Sequence, residues 1–375
     1  PQRPSRSWGV RRYNSALKRC PFSSQSVVAN CGTDCSFLES SLILRNLALA
    51  CTLAVSALTA TLASNAQATD YPNKDRPIIF VVPFAAGGPT DRVARDLAEA
   101  MRKTLGAPIA VENAAGGPGG LIGATKVARA NPDGHTLLVH HIAMSIFPSL
   151  VKNLPFKVES DFEYLGMINE VPMTLVGKPE LPANNYKELV AWANANKGKI
   201  NLANAGLASA SHLCGMLWQQ AIQVDMTTVP YKGTAPAMTD LIGNQVDLMC
   251  DQTTSTSAQI EGKRIKVYGV TTSKRIETPV LKGVPTLEES GQKGFQVAIW
   301  HGLYGPKGLP ADIQAKINAA LVTALKDPEF LKKQEGLGAI VVNDRRVEQG
   351  EHKKYVTSEI AKWGPVIKSA GVYAD

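Results

Sequence analysis

The sequence predicts an α/β protein whose parallel sheets are covered by helices on both faces. Two observations carry this. From Pro77 onward, short apolar runs alternate with segments of helical periodicity, which is the order of βαβα units. The runs are continuous in Val, Ile and Leu, as strands buried on both faces are. A chain of 375 residues, 44% hydrophobic and 19% charged, is ordinary globular composition and long enough for two modest domains.

The elements follow in order. "PIIFVVPF" reads as a strand, then a helix from about Pro89 to Leu105. Val93, Ala94, Leu97, Ala98, Met101 and Leu105 share one face of it. Pro89 suits its first turn and Gly106 its stop. "PIAVENAAGGPGGLIGATKVARA" repeats strand, Gly-rich loop and helix, and "GHTLLVHH" is a further strand. The long apolar passage "EYLGMINEVPMTLVGKP" leads into a second α/β set. There the helices are "NYKELVAWANAN", "SHLCGMLWQQAI" and "TAPAMTDLIGN"; between and after them stand "KINLANAG", "MTTVPYKG", "QVDLMCD" and "IKVYGVTTSKR". After "FQVAIWHGLYGPKGLP" come two long helical patterns, about Ala311–Leu325 and Val347–Lys368.

Residues 1–68 read differently and are set outside the fold. Arg45 precedes an apolar run from Leu47 to about Ala63, which closes on Ala66-Gln67-Ala68. That is the form of a cleaved secretory signal peptide. The run is short for a membrane span and lacks a stop-transfer cluster, so an uncleaved anchor is the weaker reading. A lipoprotein site at Cys51 is weaker still. Residues before 41 read as an upstream extension. Removing the seven basic and two acidic residues of this region from totals of 40 and 32 leaves 33 against 30, a net charge of +3 instead of +8. No Lys/Arg stripe with interleaved aromatics remains, so nucleic acid is not an expected partner. Four of six cysteines lie in the same region. Cys214 and Cys250 remain, either paired in an oxidising compartment or buried as two small apolar residues.

The first constellation with chemistry is the turn after the first strand, Ala85, Ala86, Gly87 and Gly88. Small residues there leave backbone N–H groups uncovered, and the helix that follows adds its own unpaired N–H groups and the positive end of its dipole. Such a turn binds anions. A nucleotide loop needs Lys-Ser/Thr after the last Gly, where Pro89-Thr90 stands. The dinucleotide spacing Gly-x-Gly-x-x-Gly is missing too, so no cofactor is expected. A carboxylate site or a purely structural turn remains. "LANAGLASASHLCGML" has the same grammar: Asn204-Ala205-Gly206, small residues, then a helix capped by Ser209 or Ser211. Two such loops facing each other suit an acid held between two helix ends.

Asp91 in the first helical turn complements the dipole or accepts from a ligand. His212 donates to a carboxylate or bonds a neighbouring strand. Tyr231, Thr234 and Asp251 add polar groups at further strand ends. Trp300 reads as hinge packing in preference to a ligand wall. His140 and His141 sit together without a metal-spaced partner set, so no metal is expected. No Gly-x-Ser-x-Gly elbow occurs, and adjacent Ser211 and His212 do not make a nucleophile–base pair; an enzyme is not expected.

At these residues the sequence resembles the periplasmic solute-binding proteins of tripartite tricarboxylate transporters, the Bug family. The matching stretches are "VVPFAAGGPTDRVAR", "VENAAGGPGGLIGA", "ARANPDGHTLLV", "NLANAGLASASHL", "VPYKGTAPAMTDLIGNQVDLM" and "VPTLEESG", with Lys362-Trp363 near the end. They cover nearly all of residues 72–375. The resemblance implies a type II periplasmic binding fold, two α/β domains with a ligand cleft between them. The first domain is expected to comprise 69–171 plus 298–375, and the second 172–297. It implies a ligand carboxylate held by Phe84, Ala85, Ala86, Gly87, Gly88 and Asp91, and by Gly206, Ser209, Ala210, Ser211 and His212, with Asp251 a looser transfer. It also implies capture of a small organic di- or tricarboxylate for membrane permease subunits, by a periplasmic monomer. "HLCG", "CDQTT" and "IWHGLYGPKG" resemble a branch that includes binding proteins for terephthalate-type aromatic dicarboxylates. A sensor subunit for a membrane kinase, or a hydrolase of the same fold, are the alternatives. His135 replaces the usual Tyr, and the usual basic residue after Asn113 is missing.

Overall fold

The computed structural model describes residues 71–370; the expected signal peptide lies outside them. Strand β1 (Ile78–Val82) leads into helix α1 (Pro89–Leu105), then β2 (Ile109–Asn113), α2 (Leu121–Ala128), β3 (Thr136–His141) and α3 (Ala143–Leu150). A single 16-residue strand, β4 (Phe162–Gly177), follows. The second set is α4 (Tyr186–Ala195), β5 (Asn201–Asn204), α5 (Ala210–Ile222), β6 (Thr227–Pro230), α6 (Thr234–Ile242), β7 (Leu248–Gln252), α7 (Thr253–Glu261) and β8 (Lys266–Val270). The chain ends with β9 (Ala298–Pro306), α8 (Ala311–Ala324), α9 (Pro328–Glu335), β10 (Ile340–Val341) and α10 (Gln349–Ala370).

Strand order is β2-β1-β3-β9-β4-β7-β5-β6, with β8 and β10 also on β4. The expectation of purely parallel sheets is corrected here. β1 pairs in parallel with β2 and β3, and β5 with β6 and β7, but β9 and β4 run antiparallel to their neighbours. β4 joins the two sets, pairing with β9 on one side and with β7 and β8 on the other, and β9 brings the chain back to β3. Their apolar runs carry no signal of direction. β4 changes partners along its length: 162–172 pair with β9, and 173–177 with β7 and β8. It bends through two register shifts, between Tyr164 and Gly166 and between Met167 and Asn169, as bulges allow.

The predicted face of α1 is buried in full: Val93, Ala94, Leu97, Ala98, Met101 and Leu105. They pack with Ile78, Phe80 and Val82 of β1 and with Ile313, Ile317 and Leu321 of α8. Gly106 ends α1 in the left-handed conformation at φ 65°, its N–H bonded to the Arg102 carbonyl. Trp300 packs, as read from sequence. Its indole N–H donates to Glu359 at 3.2 Å, which also receives Trp363 at 2.8 Å and Lys362 at 2.9 Å. Glu359 thus ties the Lys362-Trp363 pair to Trp300 of β9.

Candidate functional site

The site is built where β1, β5 and β7 end, the strand ends at which open α/β sheets hold ligands. After β1 the chain turns at Gly87, whose φ of 80° suits glycine. Asp91, buried in the first turn of α1, fixes this turn. Its Oδ2 accepts from the Gly87 amide and Arg95 Nε, each at 2.9 Å. Its Oδ1 accepts from Arg95 Nη2 and Asn113 Nδ2, also at 2.9 Å. Asn113 Nδ2 reaches the Phe84 carbonyl as well, at 3.0 Å. Both carboxylate oxygens are therefore occupied twice within the chain. Burial opposes ionisation of Asp91, but Arg95, the Gly87 amide and Asn113 outweigh it and hold its pKa below the usual value. Asn113 is a residue the sequence reading missed as functional. It ends β2 level with Val82 of β1, a register that one sequence does not display.

The second loop is closed by its own side chains. Ser209, and not Ser211, is the N-cap of α5, accepting from the His212 amide at 3.1 Å. Asn204 Oδ1 accepts from Gly206 N–H at 2.9 Å. His212 Nδ1 accepts from Ala208 N–H at 3.3 Å, so its ring hydrogen is on Nε2. Ser211 Oγ donates to the Cys250 carbonyl at 2.6 Å. One residue-pair further, Cys214 and Cys250 form a disulfide with Cα atoms 5.9 Å apart, which settles the two alternatives for these cysteines. It fastens α5 to β7 beside the site.

β7 delivers Asp251 and Gln252 to the third wall. Asp251 Oδ1 accepts from the Gln252 amide at 2.8 Å, while Oδ2, buried, has no partner among the described residues. Burial pushes its pKa up to about 7, partly offset by the Thr234 hydroxyl and the Gln252 amide. Helix α7, which begins at Thr253, was not anticipated. Its sequence "TTSTSAQIE" has almost no apolar stripe, so periodicity could not reveal it.

The walls meet around a small space of about 10 Å³, room for about one water. Of the predicted residues, Phe84, Ser209, Ala210, Ser211 and Asp251 line it, together with Thr90, His141, Thr234 and Gln252. Ala85, Ala86, Gly87, Gly88, Asp91, Gly206 and His212 do not. Gly206 lines a wider groove of about 520 Å³ with Gly117, Pro118, Leu207, Tyr231 and Lys232. Several proposed backbone donors are committed inside the chain: Ala85 N–H to the Lys232 carbonyl at 3.1 Å, Gly87 to Asp91, and Gly206 to Asn204. Among the lining residues, Thr90, Ala210 and Ser211 stand in the first turns of α1 and α5, where amides have no acceptor within their own helix.

Two backbone hydrogen bonds clasp the walls, Ala85 N–H to Lys232 O and Gly119 N–H to Leu207 O, the latter at 2.5 Å. A Cβ on Gly233 would lie 2.8 Å from Ala85 N, and one on Gly119 would lie 2.8 Å from the Phe147 ring. These glycines allow the close approach, a role the sequence reading assigned to neither. His141, weighed from sequence only as a metal ligand, stacks on Phe84 with ring centroids 4.7 Å apart. Burial lowers its pKa to about 3, so it is neutral. Among the described residues no cluster of three His, Cys, Asp or Glu forms a metal site.

Comparison with known proteins adds the family. The profile described as "Tripartite tricarboxylate transporter family receptor" matches residues 93–372. A protein of Agrobacterium vitis, described as a "UPF0065 protein in the TAR-I ttuE-ttuC' intergenic region", is 45% identical over 307 residues, covering 82% of this chain and 87% of its own. The structure of the periplasmic binding protein BugD is 48% identical with a TM-score of 0.78, covering 81% of this chain and all of BugD. MatC of Rhodopseudomonas palustris with bound malate is 38% identical with a TM-score of 0.74, covering 78% and 99%. R. palustris Rpa4515 with adipate is 29% identical with a TM-score of 0.74, covering 81% and 99%.

Proposed function

The chain belongs to the tripartite tricarboxylate transporter receptor family of periplasmic solute-binding proteins, and from that premise we propose that it captures a small organic dicarboxylate in its cleft and hands it to the membrane permease of such a transporter. The observation that carries this reading is the meeting of two helix N-termini, at Thr90 and at Ala210–Ser211, around one small space. Each terminus favours an anion by about 0.3–2 kcal/mol, depending on burial. The structural neighbours bound to malate and to adipate point to the same ligand class, and both are aliphatic, which supports an aliphatic acid over a terephthalate-like one.

The space in the clasped form is too small for a dicarboxylate. Capture therefore takes place with the walls parted, and ligand binding favours re-closure. The domains in this reading are 69–171 plus 298–375 and 172–297, hinged where β4 changes partners between Pro172 and Met173. Export by a cleaved signal peptide and action as a monomer belong to the same reading. Binding without turnover is supported by the hydroxyls: Ser211 gives its hydrogen to a carbonyl, and His212 Nδ1 is occupied by Ala208.

The test is native mass spectrometry of freshly purified protein, followed by thermal shifts across a panel of mono-, di- and tricarboxylates. A co-purified acid that also raises the melting temperature is expected. A flat response across the whole panel would sink the reading.

A further inference from the structure

Asp251 lines the space between the two helix N-termini, and no Lys or Arg lines it with Asp251. The residue is 1% exposed. Its Oδ1 accepts from the Gln252 amide at 2.8 Å, and its Oδ2 has no partner among the described residues. A buried carboxyl group with an open oxygen thus stands where the acid is to be held. The charges do not balance if it is ionised. Two helix N-termini amount to about half a positive charge each. Together they offset roughly one anionic charge, and a bound carboxylate supplies that one. An ionised Asp251 would add a second with nothing against it.

The surrounding elements do not supply the missing charge. On α1, Asp91 is paired with Arg95 at 2.9 Å, and Arg92 is exposed. His140 and His141 of β3 and His212 of α5 are neutral, since burial disfavours their charged forms. On α6, Asp240 stands in the last turn and accepts from the Tyr231 hydroxyl at 2.6 Å. On α7 the titratable group is Glu261, exposed at the far end. β5 carries none. Those of β4, namely Glu163, Tyr164 and Glu170, lie on the half that pairs with β9 and not on the half that pairs with β7. What acts on the Asp251 proton is burial first, then the Thr234 hydroxyl and the Gln252 amide in the opposite direction, and burial prevails.

We propose that the protein takes up one proton together with its acid, and that Asp251 carries it as a neutral carboxyl group donating from Oδ2 to the ligand's carboxylate. The exchange balances: the Asp251 carboxylate, a proton from solvent and the ligand anion become a carboxylic acid hydrogen-bonded to that anion, and no bond of the ligand breaks. Because Oδ1 already accepts from Gln252, the hydrogen goes to Oδ2. Two carboxyl groups this close do not both ionise, and an O–H donor to an anionic oxygen makes a strong, charge-assisted bond. The acid therefore raises the affinity of Asp251 for the proton, and the proton raises that of the site for the acid, by the same factor. The inference rests on the carboxylate-capture reading above and deepens it.

The experiment is calorimetric titration of the full mature chain with succinate, glutarate and adipate, between about pH 7 and 9, in two buffers of different ionisation enthalpy. Such acids are ionised in water over that range, so a proton taken up goes to the protein. Uptake approaching one proton per ligand is expected at the upper end, with affinity falling about tenfold per pH unit. Asp251→Asn keeps an uncharged donor at the same place. It is expected to take up no proton, to bind with one affinity across the range, and to exceed the parent about tenfold or more at pH 9. The infrared difference spectrum of the parent should gain a protonated-carboxyl C=O band on binding, a readout that needs no variant. Binding with neither proton uptake nor that band would overturn the inference and leave carboxylate capture standing. So would affinity that rises with pH, since Asp251 would then be an anion accepting a hydrogen. Uptake that persists in Asp251→Asn would place the proton elsewhere and overturn it as well. No binding by any of the acids would overturn both readings.

Discussion

Two buried aspartates stand at the site, Asp91 behind the first loop and Asp251 at the end of β7, and they are held in opposite ways. Asp91 is met by four hydrogen bonds from Gly87, Arg95 and Asn113. Its pKa lies below the usual value because those partners outweigh burial. Asp251 has one bonded oxygen and one without a partner, and burial dominates, pushing its pKa up to about 7. The first is spent on shaping a turn; the second keeps capacity for a ligand or a proton. The same residue type serves as a brace in the first turn of α1 and as a group with an open oxygen at the end of β7.

The pH dependence of stability separates them most strongly. In the unfolded chain Asp251 releases its proton near 3.8, and in the folded chain near 7. The folded state binds more protons in between, so this contribution is fully present below about pH 4. It is lost as pH rises through 7, by roughly 4 kcal/mol in all. Asp251→Asn should flatten that slope and leave the variant more stable than the parent at pH 8, as read by denaturant unfolding at several pH values. Asp91 has the opposite sign: its contribution is present at neutral pH and is lost as pH falls through its lowered pKa. An Asp251→Asn variant with the parent's pH profile would show that the two carboxyls are not so different.

The two loops differ in a second way, since only one is stapled. Removing the Cys214–Cys250 link by a double substitution to Ala frees a loop of 36 residues and should cost about 3–4 kcal/mol. The measurement is urea unfolding of the oxidised parent and the variant. Asp91→Ala should cost less, about 2–3 kcal/mol, because Arg95 is half exposed and finds water while the Gly87 amide and Asn113 lose their acceptor. It should nevertheless weaken ligand binding more than the disulfide variant does, because the turn loses its shape. Equal effects on affinity would mean that the brace and the staple act alike.

How much of this was legible follows the same division. Strand-to-helix turns are punctuated by glycine and small residues, and helix faces by apolar spacing, so β1–α1 and β5–α5 could be placed from composition alone. Signals that need a partner could not. Asn113 becomes a brace only because β2 aligns its end with that of β1. Thr90 meets His301, which lies 211 positions away in the chain. Helix α7 is hidden because its Thr and Ser residues are buried as polar groups and carry no apolar stripe. The antiparallel connecting strands escaped notice because an apolar run looks the same in either direction.

The adjacent glycines of the first loop give the finest test, because the sequence treats them as twins and the structure does not. Gly87 sits at φ 80°, with the nearest atom to an added Cβ 3.7 Å away, at Ala235. Space is available there, and the backbone conformation alone requires glycine. Gly88 is at φ −81° in the extended region, and a Cβ there would meet only ordinary contacts, 3.5 Å from Ala85 O and 3.7 Å from Thr234. Gly87→Ala should therefore cost about 1–2 kcal/mol from backbone strain and disturb the bond to Asp91. Gly88→Ala should change stability by less than about 0.5 kcal/mol, since it also lowers the entropy of the unfolded chain. Thermal unfolding of the two variants side by side measures the difference. If Gly88→Ala keeps its stability but loses carboxylate affinity, the ligand approaches Gly88 more closely than the walls do, and the bare backbone there is reserved for it. If affinity survives as well, the second glycine is dispensable, and the grip on the acid belongs to the helix turn that follows.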